Sequence, residues 1–169
     1  DTDNFAPEGN IVGEVPRGTG IIIMANSDVE IFNNLMSGNG TVNLSIVSYG
    51  DETDDPNYYP HPKNIQVHGN TYGPSGFDPD IDTGDLAKAL FEISGGNMPD
   101  IFWDGIVPIS QIIFGQPDDE KLIIAEKDAT FLTIKPIKYM LGLSDPVNTN
   151  KNDFKGDISP LEKITIETF

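Results

Sequence analysis

With 169 residues the chain is long enough for one domain with a real core and short for two. Ten basic against 27 acidic residues leave a net charge of −17, with Arg17 the only arginine, so nucleic acid and anionic membranes are poor partners. The absence of cysteine excludes a disulfide scaffold and thiolate metal sites, and 17 Gly with 13 Pro favour short strands and turns over a helical or alternating architecture.

The chain starts at Asp1 without Met, and no run is long and apolar enough for a membrane span or a signal sequence, so a processed product or a fragment is expected. Residues 1–19 read as a polar lead-in with Pro7 and Pro16, holding one weak edge-strand candidate at 10–15. The dominant signal follows. Segment 28–40 lies over 64–76 at a spacing of thirty-six, with Asn34 on Asn70 and Gly40 on Gly76. Val29 and Ile31 match Ile65 and Val67, with Glu30 and Gln66 between them, which is the alternation of a half-buried strand. Upstream, 20–25 lies over 43–48 at a spacing of twenty-three. One turn of a stacked coil is therefore about that length. The larger spacing then contains thirteen extra residues, placed in the interval 49–63, whose Pro56, Pro60 and Pro62 cannot serve a strand ladder. Asn34 and Asn70 fall where each coil must bend, and stacked amides can bond each other and fix the register; two unrelated Asn turns are the alternative.

Two and a half coils are expected over 20–77. Leu86, Leu90 and Ile93 have helical spacing, with Thr83 or Asp85 as N-cap and Gly95-Gly96 as stop. Strands are expected at 101–107, 121–125 and 130–134, then a turn at 139–143, an Asn-rich loop and a last strand at 164–166. The whole is expected as one domain over 1–169: lead-in at 1–19, coils over 20–134 with inserted loops at 49–63 and 78–100, and capping material at 135–169 that covers an open edge.

Segments 4–12, 18–34, 47–49 and 99–105 together resemble the right-handed parallel β-helix proteins, and more closely a family of exported bacterial β-helix repeat proteins whose genes tend to sit beside one for a dihaem c-type cytochrome. The resemblance implies an all-β, right-handed parallel β-helix of the pectin-lyase-like superfold, with one short α-helix and an irregular C-terminal cap. It implies an extracellular, periplasmic or cell-surface location and N-terminal coils of the same protein preceding this chain. Lyases, epimerases and hydrolases of polysaccharides share that superfold, so it implies polysaccharide as the ligand class, by fold-level analogy.

Elimination or epimerisation of a uronate needs a base, an acid on the other face and a cation for the developing charge. His68, on the strand 65–67 at the position of Phe32 one coil earlier, and Tyr49 with Lys63 beside the inserted loop are the catalytic candidates; Asp51 and His61 flank the same loop. The alternatives are a surface His68 stacked on Phe32 and tyrosines packed as loop supports. Asp78, Asp80, Asp82 and Asp85 form the metal candidate, since hard carboxylate oxygens before a helix suit Ca²⁺; Gly84 and Ala89 break the EF-hand pattern. Asp51, Glu52, Asp54 and Asp55 are a second acidic cluster. A solvated acidic loop is the alternative for both. Outward Ile22 and Met24 imply a covered or ligand-facing surface. Two functions follow as expectations: binding, with or without processing, of an extracellular polysaccharide, or a non-catalytic module whose acidic surface docks a basic protein such as a c-type cytochrome.

Overall fold

The computed structural model describes residues 5–6, 10–50 and 55–161. Much of the expected lead-in, the acidic residues Asp51, Glu52 and Asp54, and the expected strand at 164–166 lie outside the described residues. The chain visits three sheets in turn. A first circuit consists of β1 (Thr19–Met24), β2 (Ser27–Phe32) and β3 (Leu35–Met36), and a second of β4 (Val42–Val47), β5 (Lys63–His68) and β6 (Thr71–Tyr72). After α1 (Asp85–Ile93), a third circuit supplies β7 (Ile101–Trp103), α2 (Ile109–Phe114) and β8 (Leu122–Ala125). β9 (Phe131–Ile134), α3 (Pro136–Met140) and β10 (Val147–Asn148) complete the described strands and α-helices, beside 3-10 turns at Ile11–Glu14, Asp118–Glu120 and Lys151–Phe154. The sheets run β1-β4-β7-β9-β10, β2-β5-β8 and β3-β6. Among the described residues every strand pairing is parallel except β9 with β10. The fold is thus largely β and built from parallel sheets.

Both repeat spacings are registers of the sheets. Ile21, Ile22 and Ile23 lie opposite Leu44, Ser45 and Ile46, twenty-three residues on. Val29, Ile31 and Phe32 lie opposite Ile65, Val67 and His68, thirty-six on, and Leu35 and Met36 opposite Thr71 and Tyr72. Leu44, Ile46, Ile101, Trp103 and Phe131 from the first sheet meet Ile31, Ile65, Val67, Leu122 and Ile124 from the second in one buried core, which Met36 closes from the third. Period-two alternation accounts for this division: one side of each strand fills the space between the sheets.

A second apolar cluster lies on the other side of the first sheet. There α1 lays Leu86, Leu90 and Ile93 over Ile22, Met24, Val47, Phe102 and Leu132. Ile22 and Met24 are therefore half-buried beneath a helix, and packing accounts for their outward position. The α1 N-cap differs from expectation. It is Gly84, without a side-chain cap bond, because the Thr83 hydroxyl donates instead to Asp80 Oδ1 at 2.6 Å and Asp85 is already the first helical residue. The helix stops as anticipated, with Gly95 and Gly96 at φ of 62° and 83°.

Three further expectations are corrected. Residues 11–14 form a 3-10 turn, not an edge strand, because the Asn10 side chain accepts from the Val12 N–H at 2.9 Å and nucleates a turn. The strand expected to reach 107 ends at Trp103. Two residues on, Gly105 takes φ of 69° in a place where a Cβ would sit 2.1 Å from the Ile134 carbonyl oxygen. The apolar run after Pro108 is the helix α2, closed by Gly115 at φ of 86°. The first part of the expected turn at 139–143 belongs to α3, which Pro136 starts and Met140 ends, and the Asn-rich loop carries the short strand β10.

Candidate functional site

The links between sheets differ in length at two places: the return from the third sheet to the first is 37–41 in the first circuit and 73–100, which carries α1, in the second, and the other place is the passage from the first sheet to the second. From the second sheet to the third the chain needs two residues in each of the first two circuits, 33–34 and 69–70. From the first sheet to the second it needs two in the first circuit, 25–26, then 48–62 in the second and 104–121 in the third, while 135–146 leave β9 at the same end. The long links of the second and third circuits thus gather at the corner between the first and second sheets, the arrangement by which repeat proteins build loop surfaces for binding.

At that corner the 48–62 loop is tied down by its own groups. The Tyr49 N–H donates to the Pro60 carbonyl at 2.9 Å, and the Tyr58 hydroxyl donates back to the Tyr49 carbonyl. Ser48 connects this loop to the third circuit: its N–H donates to Asp104 Oδ2 at 2.6 Å and its hydroxyl to the Ile106 carbonyl at 3.2 Å. That hydroxyl also lies 3.3 Å from His61 Nδ1. Asp104 is buried, and burial pushes its carboxyl up to about 6 against the opposing bonds from the Ser48 and Ile106 N–H groups. Burial lowers His61, which favours the neutral imidazole.

Alongside, the Lys63 ammonium sits 5.0 Å from the centre of the Tyr59 ring and 4.0 Å from Glu120 Oε1. His61 meets the same ring edge-on at 5.5 Å, and the Gln111 amide donates to Glu120. Burial first, and then the Glu120 charge, raise the Tyr59 phenol, with a Gln111 hydrogen bond opposing. The corner therefore presents a neutral phenol, an imidazole, an ammonium, a carboxylate and an amide: donors and acceptors suited to a polyhydroxylated ligand.

Of the three catalytic candidates, Tyr49 and Lys63 belong to this corner and His68 does not. Lys63 and His68 are opposite ends of β5, about 16 Å apart along a strand. His68 Nε2 lies 2.8 Å from Glu30 Oε1, and its ring stacks on Phe32 at 5.4 Å with 4° between the planes. The base, acid and cation of an elimination are therefore not convergent at these three residues. Beyond His68 the expected amide ladder is present. Asn34 Nδ2 donates to Asn70 Oδ1 at 3.0 Å, while Asn70 Nδ2 donates to the Ile31 carbonyl at 2.8 Å and to buried Glu126 at 2.7 Å. Glu126 Oε1 also accepts from the Tyr72 hydroxyl, so a carboxylate ends the ladder where the third circuit offers no Asn.

Two of the four carboxylates of the metal candidate, Asp78 and Asp80, are engaged in structural bonds. Both Asp80 oxygens are committed, Oδ2 to the Arg17 N–H at 3.0 Å and Oδ1 to Thr83, and Asp78 pairs with the Arg17 guanidinium at 2.8 Å. Burial raises Asp80, but the Thr83 and Arg17 hydrogen bonds and the Arg17 charge outweigh it and hold the carboxyl below its ordinary value. Asp82 and Asp85 are exposed. Arg17 thus holds Asp78 through its guanidinium and Asp80 through its backbone N–H; among the described residues no group of three or more His, Asp or Glu side chains gathers as a metal site. Sequence reasoning passed over Ser48, Asp104, Gln111 and Glu120, whose only signal is their place in links of adjacent circuits. No family model, no curated protein and no solved structure matches the chain.

Proposed function

We propose that the chain winds as a right-handed parallel β-helix, works outside the cell or at its surface, and binds extracellular polysaccharide at the corner formed by links 48–62 and 104–121. Parallel strands joined by crossovers are right-handed in about 98% of cases, which supports the winding. One observation carries the site: the two long links from the first sheet to the second, 48–62 and 104–121, stand at the same corner in successive circuits, where the first circuit needs only 25–26. Tyr59 and His61 offer ring surface, and Lys63, Glu120 and Gln111 offer hydrogen bonds to hydroxyls and carboxylates. The reading is one of binding, since Tyr49 and Lys63 lie far from His68.

Retention on an array of acidic and neutral polysaccharides tests it. Retention is expected for one class, weakened about tenfold by Tyr59→Ala or Lys63→Ala, the loss of about 1.4 kcal/mol. Absence of retention, or retention indifferent to both substitutions, overturns it.

A second reading has its own support. Asp28, Asp118, Asp119 and Asp157 line a cleft of about 620 Å³ on the outer side of the second sheet, a complement to a basic protein such as a c-type cytochrome. Association that weakens with salt is the expected result; salt-insensitive or absent association removes this reading.

A further inference from the structure

The insertion-bearing corner continues past the polar groups into an apolar surface. Residues 106–117 contain no charged side chain in a chain of net charge −17. Their neighbours 135–144 contain only Lys135 and Lys138, both held to Asp145, at 2.8 and 3.8 Å. β7 and β9 are adjacent and parallel, with Trp103 opposite Thr133. Gly105 packs against the Ile134 backbone. The two segments therefore leave the sheet side by side, one into α2 and the other into α3.

Neither helix turns its apolar side chains inward. Phe114 is 86% exposed and Met140 82%, and Ile109, Ile113, Tyr139 and Leu141 are each more than half exposed. No residue of α2 or α3 is buried. At about 150–200 Å² for a large side chain, these six present on the order of 700 Å². That exceeds the roughly 300–600 Å² of the largest apolar patch on an ordinary monomer and approaches the roughly 800 Å² that each partner contributes to a standard interface.

We infer that this surface is the contact through which two copies of the chain pair. Size is one argument and charge is the other. Elsewhere two copies would repel, whereas here a nearly uncharged patch can meet its own image about a two-fold axis without burying an unpaired carboxylate. An anionic bilayer is disfavoured by the acidity of the rest of the molecule. The inference goes beyond polysaccharide binding and does not rest on it.

Sedimentation equilibrium of the full chain over a dilution series tests it, beside Phe114→Asp and Met140→Asp. Both positions are exposed, so the substitutions spare the core; Phe114→Ser and Met140→Ser serve if either Asp variant loses its circular dichroism. The expected mass is twice the chain's 18.4 kDa, with the dissociation constant raised at least about tenfold in the variants. A monomer at every concentration overturns the inference, as does a dimer unmoved by both substitutions. A monomer that instead floats with zwitterionic vesicles assigns the patch to lipid and also overturns it.

Discussion

Asn70 does more than Asn34, although the two occupy the same place in successive circuits. Asn34 is exposed and its amide donates to the Phe32 carbonyl and to Asn70, whereas Asn70 bonds Asn34, two backbone carbonyls and buried Glu126 at once. Its removal would leave buried Glu126 short of donors and the Ile31 carbonyl unpaired, and an unmet buried polar group costs about 1–3 kcal/mol. Asn70→Ala is therefore expected to lower the urea midpoint by an amount corresponding to about 2–4 kcal/mol and Asn34→Ala by under about 1 kcal/mol; equal effects would remove the ladder as a source of stability. Asp104 makes a second test at this scale. Its folded carboxyl sits at about 6 against an ordinary 3.8. Below about pH 4 the group is protonated folded and unfolded, and its contribution is fully present. Between about 4 and 6 the unfolded chain releases a proton that the folded chain keeps, so stability falls as pH rises, by up to about 3 kcal/mol. Above about 6 the loss is complete. Asp104→Asn removes this titration and adds a fixed loss of the Ser48 bond. Plotted against pH, the stability of wild type relative to the variant should decline from pH 4 to 7; a flat difference would mean that Asp104 ionises normally.

Elements differ in how plainly the sequence announces them, and the reason is the length over which a pattern repeats. Strands β1, β2, β4 and β5 and their registers were legible because two copies of the pattern agree over whole segments. The pairing of β5 with β8 was not, since α1, α2 and their links lie between, and Glu126 replaces the third Asn. α2 and α3 span six and five residues, too few for a helical period to show. The loop-side residues Tyr49, His61 and Lys63 could be picked from the proline-rich interval, but Asp104, Gln111 and Glu120 join them only through stacking of circuits. Two changes test the elements. Gly105→Ala would force a Cβ against the Ile134 backbone oxygen at a positive φ, and a loss of about 2–4 kcal/mol is expected in denaturant titration. Replacing 48–62 by Ala-Asn, the link of the first circuit, should keep the far-ultraviolet spectrum of parallel sheet and abolish polysaccharide retention. Collapse of the fold would make the loop a structural element instead.

For the molecule as a whole, stacking and charge oppose each other. The core that passes from circuit to circuit is continuous, and each ladder aligns residues of like position about 4.8 Å apart. A net charge of −17 on such a stack means that carboxylates of neighbouring circuits and loops repel, with few cations to offset them. Several of the lysines and the single arginine are already committed: Arg17 to Asp78, Lys63 to Glu120, Lys121 to Asp118, Lys135 to Asp145. These exposed pairs contribute little individually, so screening of repulsion outweighs screening of attraction. The thermal midpoint should therefore rise as sodium chloride goes from about 0.01 M, where the Debye length is about 30 Å, towards about 1 M, where it is about 3 Å. A scanning calorimeter reads the effect directly. A midpoint that falls with salt would show ion pairs, not the stacked core, to be holding the circuits together.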